Sequence, residues 1–250
     1  MAPTSPLKFI SDEQLEKLCK MVLLKAIEAS QKAEDEIYKN VIDPFSAVFD
    51  SMRQGITLKS WLEQEKARQL QKTLQNVVGE FHQNVIGSIE GWENLYVGES
   101  IDLRCREKKI IAEIKNKHNT MNSNGHLATY DKLHKHLDYD QSYKGYTAYC
   151  VFVIPQNTKA LNVPYHPSER GTQRPKREDI RKIDGKSFYA LATGDEDALE
   201  KLYLRLPSII GKILDVEPKT FINSGTFEDL FMRAYKGKNK VPIASGIGHL

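Results

Sequence analysis

The chain has 250 residues, of which 40% are apolar and 28% are charged, and its formal net charge is +3 at pH 7. This composition is typical of a globular protein with a sizeable core, and it argues against the disordered and fibrous classes. A net charge of +3 does not by itself indicate a polyanionic partner, because nucleic-acid binding depends on where the charges cluster.

Targeting and redox signals are absent from the sequence. No apolar run approaches the roughly 20 residues that are needed to span a bilayer, and the first residues lack the basic-then-apolar pattern of a secretory signal. The three cysteines, Cys19, Cys105 and Cys150, are odd in number and widely spaced. They therefore indicate neither a disulfide framework nor a CxxC metal site. We expect no membrane association and a cytoplasmic location.

Residues 1–92 are predicted to form a mainly helical portion. Apolar residues recur at helical spacing in the first segment. Asp43-Pro44 interrupts this helix, and Gln54-Gly55 marks another turn. A second long apolar stripe begins at Leu58 and ends near Gly87 or Gly91, because helices commonly end at glycine.

Residues 93–210 are predicted to form an α/β core. The segment SIDLRC (100–105) alternates in polarity, and IIAEI (110–114) follows a charged turn, so the two predict a hairpin. A polar loop and a predicted helix over 126–140 come next. The segment YTAYCVFVIP (146–155) is the strongest strand pattern, and its continuous apolar character indicates burial on both faces.

The remaining elements complete a single domain over residues 1–250. The segment SFYALATG (187–194) is predicted to be a strand, and the helix after it is predicted to stop at Pro207. Residues 211–250 are predicted to be a C-terminal extension with a loop-like tail from residue 236. The order of elements predicts an α/β fold with a helical N-terminal portion.

A carboxylate and an ammonium lie two residues apart in the predicted strand over 110–114. This spacing places Glu113 and Lys115 on one face, and the hairpin brings Asp102 near Glu113. Two neighbouring carboxylates repel unless a cation lies between them, and Mg²⁺ prefers carboxylate oxygens. The pattern predicts a Mg²⁺ site with Asp102 and Glu113 as ligands. Lys115 would hold or activate the attacking water.

The same residues allow blander interpretations. A solvated strand face with a Glu–Lys ion pair of little energetic weight fits the spacing equally well. Glu80 flanks the stripe of the long helix and is a candidate third carboxylate, but it also fits an exposed helical position. The sequence lacks HExxH, GxxxxGK[ST], GxGxxG and GxSxG motifs, which argues against zinc, nucleotide-cofactor and serine-hydrolase chemistry.

Basic residues cluster over 104–119 and again over 170–182. Such stretches suit contact with a phosphate backbone, although a charge run is also the usual composition of a solvated surface. The loops in and beside these stretches supply the candidate DNA contacts, which are Asn116, Lys117, Asn119, Asn122, Arg170, Arg174, Lys176 and Arg177.

Asp102 followed by Glu113-Ile114-Lys115 resembles the motif of the PD-(D/E)xK nuclease superfamily, although Ile101 stands where that motif has proline. Four further segments are similar to segments of type II restriction endonucleases, and most similar to the group that cuts GGNCC or GGWCC sites. They are EIKNKHNTMN, GEFHQNVIG, DIRKIDGKSFYALATG and DALEKLYLRLP. The resemblance covers roughly residues 70–210.

This resemblance implies a central mixed β-sheet flanked by helices. It also implies Mg²⁺-dependent, sequence-specific hydrolysis of double-stranded DNA that leaves 5′-phosphate ends. Asp102 and Glu113 would be the metal ligands, Lys115 the water-orienting residue and Glu80 an additional acid. A palindromic site implies a homodimer, and restriction implies a cognate DNA methyltransferase.

Two alternative functions remain open at this point. One is a repair or recombination nuclease of the same superfamily, which would prefer junctions, ends or damage over a short sequence. The other is a DNA-binding protein that keeps the fold without catalysis. The intact set of Asp102, Glu113 and Lys115 argues against this second alternative.

Overall fold

A computed structural model describes residues 5–39, 42–95 and 101–236. The helices of these ranges are α1 (Asp12–Lys39), α2 (Pro44–Gln54), α3 (Leu58–Gly87), α4 (Ser123–Tyr139), α5 (Gly185–Thr193), α6 (Ala198–Leu214) and α7 (Ser224–Tyr235). The strands are β1 (Trp92–Asn94), β2 (Leu103–Cys105), β3 (Ile110–Lys117), β4 (Thr147–Ile154), β5 (Asn162–Pro164), β6 (Ser168–Glu169), β7 (Thr172–Gln173) and β8 (Ile180–Asp184).

Six of the strands form one mixed sheet in the order β1-β2-β3-β4-β8-β5. The central strands β3, β4 and β8 run parallel, while β1, β2 and β5 pair antiparallel with their neighbours. Strands β6 and β7 form a separate short hairpin. The α/β fold with a mixed sheet and a helical N-terminal portion is therefore confirmed. No helix in the described part of the chain is long and apolar enough to cross a membrane.

Helices cover both faces of the sheet, and β3 shows how its side chains divide between them. Ala112 and Ile114 pack in one hydrophobic cluster with residues of α1, α3, α5 and α6. Ile111 packs in a second cluster with Tyr130 and Leu133 of α4. Because side chains alternate along a strand, the odd-numbered residues of β3 face α4.

The helices of the N-terminal portion begin and end at the proline and glycine residues that predicted their boundaries. The Asp43 side chain caps α2 by accepting a hydrogen bond from the Phe45 backbone N–H, and Pro44 occupies the first turn, where its missing N–H is tolerated. Gly55 ends α2 with a φ of 67°, a left-handed conformation that favours glycine. Helix α3 ends at Gly87, the first of the two predicted glycines.

The predicted strand over 187–194 is wrong, because residues 187–193 belong to α5 and Gly194 is its C-cap. Strand β8 ends immediately before them at Asp184, whose side chain is buried. Its carboxylate accepts hydrogen bonds from the Ser187 backbone N–H at 2.9 Å and from the Leu161 backbone N–H at 2.7 Å. A buried aspartate that caps the first turn starts a helix, and local alternation of polarity did not reveal it.

The predicted stop at Pro207 is also wrong, because α6 continues through Pro207 to Leu214. Proline removes one backbone donor, but Leu202 and Ile209 lie on either side of it and are 1% and 4% exposed. Their burial holds both halves of the helix against the core.

The tail over 237–250, which was predicted to be loop-like, lies outside the described residues, as does Ser100 at the start of the predicted hairpin.

Gly185 is required by close packing at the start of α5. A Cβ at this position would overlap the Val153 carbonyl oxygen and would lie 2.8 Å from the Val153 Cα, and both are backbone atoms of the central strand β4. We expect Gly185→Ala to lower the free energy of unfolding by about 2–3 kcal/mol, because overpacking of a core costs this much. Denaturant unfolding monitored by circular dichroism measures the change.

Gly79→Ala is the matched control for this substitution. The added Cβ would meet only the Asn116 Cβ, at an ordinary 3.5 Å, and alanine favours a helix over glycine by about 1 kcal/mol. We expect an unchanged or slightly higher stability. Equal stability of Gly185→Ala and the wild type would contradict the packing argument.

Candidate active site

The β2–β3 register brings Asp102 to Glu113. Leu103 pairs with Ala112, and the same register extended by one residue sets Asp102 opposite Glu113. Asp102 lies just before β2, and its Oδ2 accepts a 2.7 Å hydrogen bond from the backbone N–H of Ile114. The carboxylate therefore takes the place of a strand partner at the point where β2–β3 pairing ends.

The backbone of Asp102 is fixed from two directions. Its carbonyl oxygen accepts a 3.0 Å hydrogen bond from the Leu95 backbone N–H and a 3.4 Å hydrogen bond from Nε2 of Gln83 on α3. Gln83 also donates to Oδ1 of Asn94 in β1 at 2.9 Å. The position of this carboxylate is therefore set by packed secondary structure rather than by a loose loop.

Each of the two carboxylate oxygens of Glu113 lies beside the ammonium of a lysine. Its side chain is only 7% exposed, and Nζ of Lys115 lies 2.8 Å from Oε1. Nζ of Lys132, which belongs to α4, lies 2.5 Å from Oε2. The prediction that Glu113 and Lys115 share one face of β3 is confirmed by their contact.

The sequence did not predict that Lys132 contacts Glu113. The only signal for it is its place beside a buried stripe of α4 that includes Thr129, Tyr130 and Leu133. This spacing sets Lys132 at the margin of the helix face that packs on the sheet. Only the tertiary contact between α4 and β3 shows that it points at Glu113.

The electrostatics of the cluster disfavour two ionised carboxylates without a cation. Burial raises the pKa of Asp102, and the charge of Glu113 raises it further, against the hydrogen bond from Ile114 and the charges of Lys115 and Lys132. Burial lowers the pKa of Lys115, but the charges of Glu113 and Asp102 outweigh burial, so this pKa is raised overall. Lys115 is therefore an ammonium at neutral pH.

The donor set fits a hard divalent cation that keeps part of its hydration shell. Asp102 and Glu113 supply two carboxylates whose mutual repulsion a cation would relieve. No group of three or more His, Cys, Asp or Glu side chains that could hold a metal ion is found among the described residues. A bound ion would take its other ligands from water and phosphate, as Mg²⁺ commonly does.

The cysteine beside Glu113 on the neighbouring strand is not a nucleophile. Cys150 in β4 is the register partner of Glu113 and is fully buried. Burial raises the pKa of its thiol to about 12, so the thiolate that would act as a nucleophile is not formed at neutral pH. Beside it, the Tyr165 hydroxyl donates to the His126 carbonyl oxygen at 3.0 Å.

Glu80 is not brought to this cluster. It belongs to α3, which packs on the sheet face opposite α4. Its side chain is 53% exposed and forms an ion pair with Lys25 of α1. The residue of α3 that reaches the site is Gln83, through its hydrogen bond to the Asp102 backbone.

Two of the predicted DNA-contacting asparagines have structural partners. Nδ2 of Asn116 donates a 2.7 Å hydrogen bond to the carbonyl oxygen of Gln75 in α3. Oδ1 of Asn122 caps α4 by accepting from the Gly125 backbone N–H at 2.9 Å. Asn119 is exposed, and Lys117 is half-buried at the end of β3.

Two of the predicted DNA-contacting arginines attach their loop to α4. The guanidinium of Arg174 makes two 2.7 Å hydrogen bonds to Asp131. Arg177 makes ion pairs with Asp138 and Asp179, each with a shortest distance of 2.7 Å. These paired guanidinium groups hold the loop over 166–179 against the helix that carries Lys132.

The other two basic residues of this loop face solvent. Arg170 lies at the tip of the β6–β7 hairpin with a φ of 46° and is exposed. Lys176 is also exposed. The loop therefore presents two cations to solvent, and paired arginines fix its backbone against α4.

Comparisons with known proteins identify the family of this chain. Residues 7–215 match the Eco47II restriction endonuclease family. The chain is 42% identical over 214 residues to the type II restriction enzyme Eco47II of Escherichia coli, which covers 84% of this chain and 89% of that enzyme. It is 30% identical over 243 residues to the type II restriction enzyme Sau96I of Staphylococcus aureus, covering 94% of this chain and 91% of that enzyme. No solved structure matches the chain.

The matched range contains Asp102, Glu113, Lys115 and Lys132. The chain therefore belongs to the Eco47II restriction endonuclease family and is a site-specific deoxyribonuclease.

Proposed function

We propose that this enzyme is a Mg²⁺-dependent type II restriction endonuclease that cuts double-stranded DNA at a short palindromic site of the GGNCC or GGWCC kind and leaves 5′-phosphate ends. The observation that carries the metal-dependent chemistry is the juxtaposition of Asp102 and Glu113 with Lys115 hydrogen-bonded to Glu113. The choice of DNA site rests on the similarity to Eco47II and Sau96I.

Asp102, Glu113 and Lys115 would each have a separate role in the hydrolysis. Asp102 and Glu113 would hold Mg²⁺, which supplies Lewis-acid polarisation of the phosphate and lowers the pKa of a bound water. The Ile114 N–H keeps the Asp102 carboxylate oriented toward this position. Lys115 places a fixed positive charge where it can orient the attacking water and offset the negative charge that develops on the phosphate. In-line attack then expels the 3′ oxygen.

The DNA contacts are proposed for the exposed members of the predicted set. Arg170, Lys176 and Asn119 face solvent, and Lys117 lies at the end of β3. We assign them contacts with phosphates or base edges. Asn116, Asn122, Arg174 and Arg177 instead hold their segments in place through the hydrogen bonds described above.

Digestion of unmethylated phage DNA in the presence of Mg²⁺ tests this function. We expect discrete fragments that disappear when a chelator is added, and sequencing of the fragment ends identifies the site and the cut. A chelator-sensitive smear would instead favour a nuclease without site preference. Binding without any cleavage would favour a non-catalytic DNA-binding protein.

A homodimer is proposed because a palindromic site is read by two-fold symmetric proteins. Helix α2 supports this proposal because its apolar side faces outward. Its buried residues are only Ala47 and Ser51. Its exposed large side chains follow the helical spacing i, i+3, i+4 and i+7, and they are Phe45 at 74%, Val48 at 45%, Phe49 at 77% and Met52 at 77% exposure.

This stripe has the size of the centre of an interface. It exposes roughly 400 Å² per chain, if each aromatic ring contributes about 150 Å². Two facing copies would bury roughly 800 Å², about half of a standard interface, so polar contacts around the stripe would have to complete it.

The enzyme would work in the cytoplasm beside a cognate DNA methyltransferase that protects the host sites.

Phe49→Asp is expected to convert the dimer into a monomer, because it places a charge at the centre of the apolar contact. Sedimentation equilibrium measures the change in mass. Phe221→Asp is the matched control, since Phe221 is 73% exposed but lies outside α2, and we expect it to leave the dimer intact. A dimeric Phe49→Asp variant would exclude α2 as the interface.

A further inference from the structure

We propose that Lys132 is an internal counterion, which occupies the metal side of Glu113 in the ion-free enzyme and moves to a DNA phosphate when the metal ion binds. This inference deepens the proposed function and rests on it. It concerns a lysine on α4 that lies outside the motif of Asp102, Glu113 and Lys115.

Each oxygen of Glu113 has an ammonium beside it, and the buried Oε2 accepts no hydrogen bond among the described residues, so its contact there is the ion pair with Lys132. Lys115 contacts Oε1 at 2.8 Å and Lys132 contacts Oε2 at 2.5 Å, whereas a metal ligand must offer at least one oxygen to the ion. A carboxylate oxygen has two lone pairs and can serve a lysine and an ion together, but two cations at one buried oxygen repel each other. Binding of the ion and the contact with Lys132 therefore oppose each other.

Lys132 is the lysine that can withdraw. Lys115 lies on the same strand as Glu113, two residues away, and its side chain is 26% exposed. Lys132 reaches Glu113 from another element, and its side chain is 32% exposed. A four-carbon side chain with access to solvent can turn away without moving its helix.

The helix under Lys132 is held in place on both sides of this residue. Tyr130 and Leu133 are 1% and 0% exposed in the core, and Asp131 is bound by Arg174 through two hydrogen bonds. The backbone at Lys132 is therefore fixed. The proposed change is confined to the lysine side chain.

Charge balance gives the direction of the movement. With both carboxylates ionised, Asp102 and Glu113 carry two negative charges, and Lys115 and Lys132 carry two positive charges. A divalent cation added to this neutral cluster leaves two positive charges in excess, which a DNA phosphate beside the ion would reduce. The metal ion should therefore bind weakly to the free enzyme, and DNA and the ion should strengthen each other's binding, since such coupling is reciprocal.

The test measures binding of Mn²⁺, followed by the electron paramagnetic resonance signal of the free ion, to the full chain without DNA. Lys132→Met removes the competing ammonium, and we expect it to tighten Mn²⁺ binding by about tenfold or more, the effect of one unit charge a few ångströms from the ion. Lys132→Arg keeps the charge and should bind Mn²⁺ as the wild type does. Lys132→Gln replaces Lys132→Met if the methionine variant does not fold.

Lys135→Met is the matched control. Lys135 lies one turn further along α4 and is exposed, and among the described residues its ammonium forms no ion pair. We expect its Mn²⁺ affinity and its cleavage rate to equal those of the wild type. Unchanged or weaker Mn²⁺ binding by Lys132→Met would overturn the counterion role.

Cleavage at saturating Mg²⁺ tests the transfer of Lys132 to phosphate. We expect Lys132→Met to have a lower kcat/KM than the wild type despite its tighter Mn²⁺ binding, and unchanged kcat/KM would overturn the phosphate contact. Absence of cleavage by the wild type itself would count against the proposed function. The Mn²⁺ competition measured without DNA would be unaffected by that result.

Discussion

Lys115→Met is expected to reduce DNA cleavage by about 10²–10³-fold, the cost of removing one group that stabilises transition-state charge. Lys115 is charged, partly buried and hydrogen-bonded to Glu113, so its ammonium has a fixed position beside the carboxylate pair. Methionine fills similar space without the charge. The fold should survive, because Lys132 still compensates Glu113.

Single-turnover cleavage of a short duplex at saturating Mg²⁺ measures this loss. Binding of the same duplex in a chelator should change little, which separates catalysis from recognition. Lys115→Arg keeps the charge but replaces a compact ammonium with a planar fork, and we expect it to restore only part of the rate. Lys144→Met, at an exposed position, controls for loss of a lysine. A Lys115→Met enzyme with the wild-type rate would exclude Lys115 from the chemistry.

The central hairpin could be predicted from the sequence because its geometry is local. A spacing of two on a strand fixes a common face, and a short turn fixes the register that sets Asp102 opposite Glu113. Neither feature depends on the rest of the fold. The breaks at Asp43-Pro44 and Gln54-Gly55 were predictable for the same reason, since proline and glycine restrict or permit particular backbone conformations wherever they occur.

The features that the sequence did not reveal depend on partners distant in the chain. Lys132 is an ordinary helical lysine until α4 packs on β3. Arg174 and Arg177 look like DNA contacts in a basic run, but Asp131 and Asp138 lie about 40 residues earlier and engage both guanidinium groups. The strand predicted over 187–194 failed because Asp184 is buried and caps a helix, which local alternation of polarity cannot show.

Asp102→Asn is expected to abolish cleavage and at the same time to stabilise the metal-free enzyme. The asparagine side-chain oxygen can still accept the hydrogen bond from the Ile114 N–H, while the negative charge beside Glu113 is removed. The pKa of Asp102 is raised by burial and by Glu113, so ionisation of Asp102 disfavours the folded state. We expect a rise in Tm of the order of a few degrees at neutral pH, measured by circular dichroism in a chelator.

The pH dependence of this gain follows from the direction of the pKa shift. A carboxyl whose pKa is higher in the folded state binds a proton more tightly there, so the metal-free wild type loses stability as pH rises from the ordinary value of 3.8 through the raised value. Below that window Asp102 is protonated in both states. The advantage of Asp102→Asn should therefore be largest at neutral pH and should fade as the pH falls toward 3.8.

Mg²⁺ should reverse the ranking of the two proteins. An ion that binds only the folded state raises Tm by mass action, and we expect this increase for the wild type but not for Asp102→Asn, which lacks one of the two carboxylates. Glu107→Gln, in the exposed β2–β3 turn, should behave as the wild type in every condition. Two results would contradict a role of the Asp102 charge in cation binding. One is a Tm of Asp102→Asn below that of the wild type in the chelator, and the other is an equal rise in Tm of both proteins with Mg²⁺.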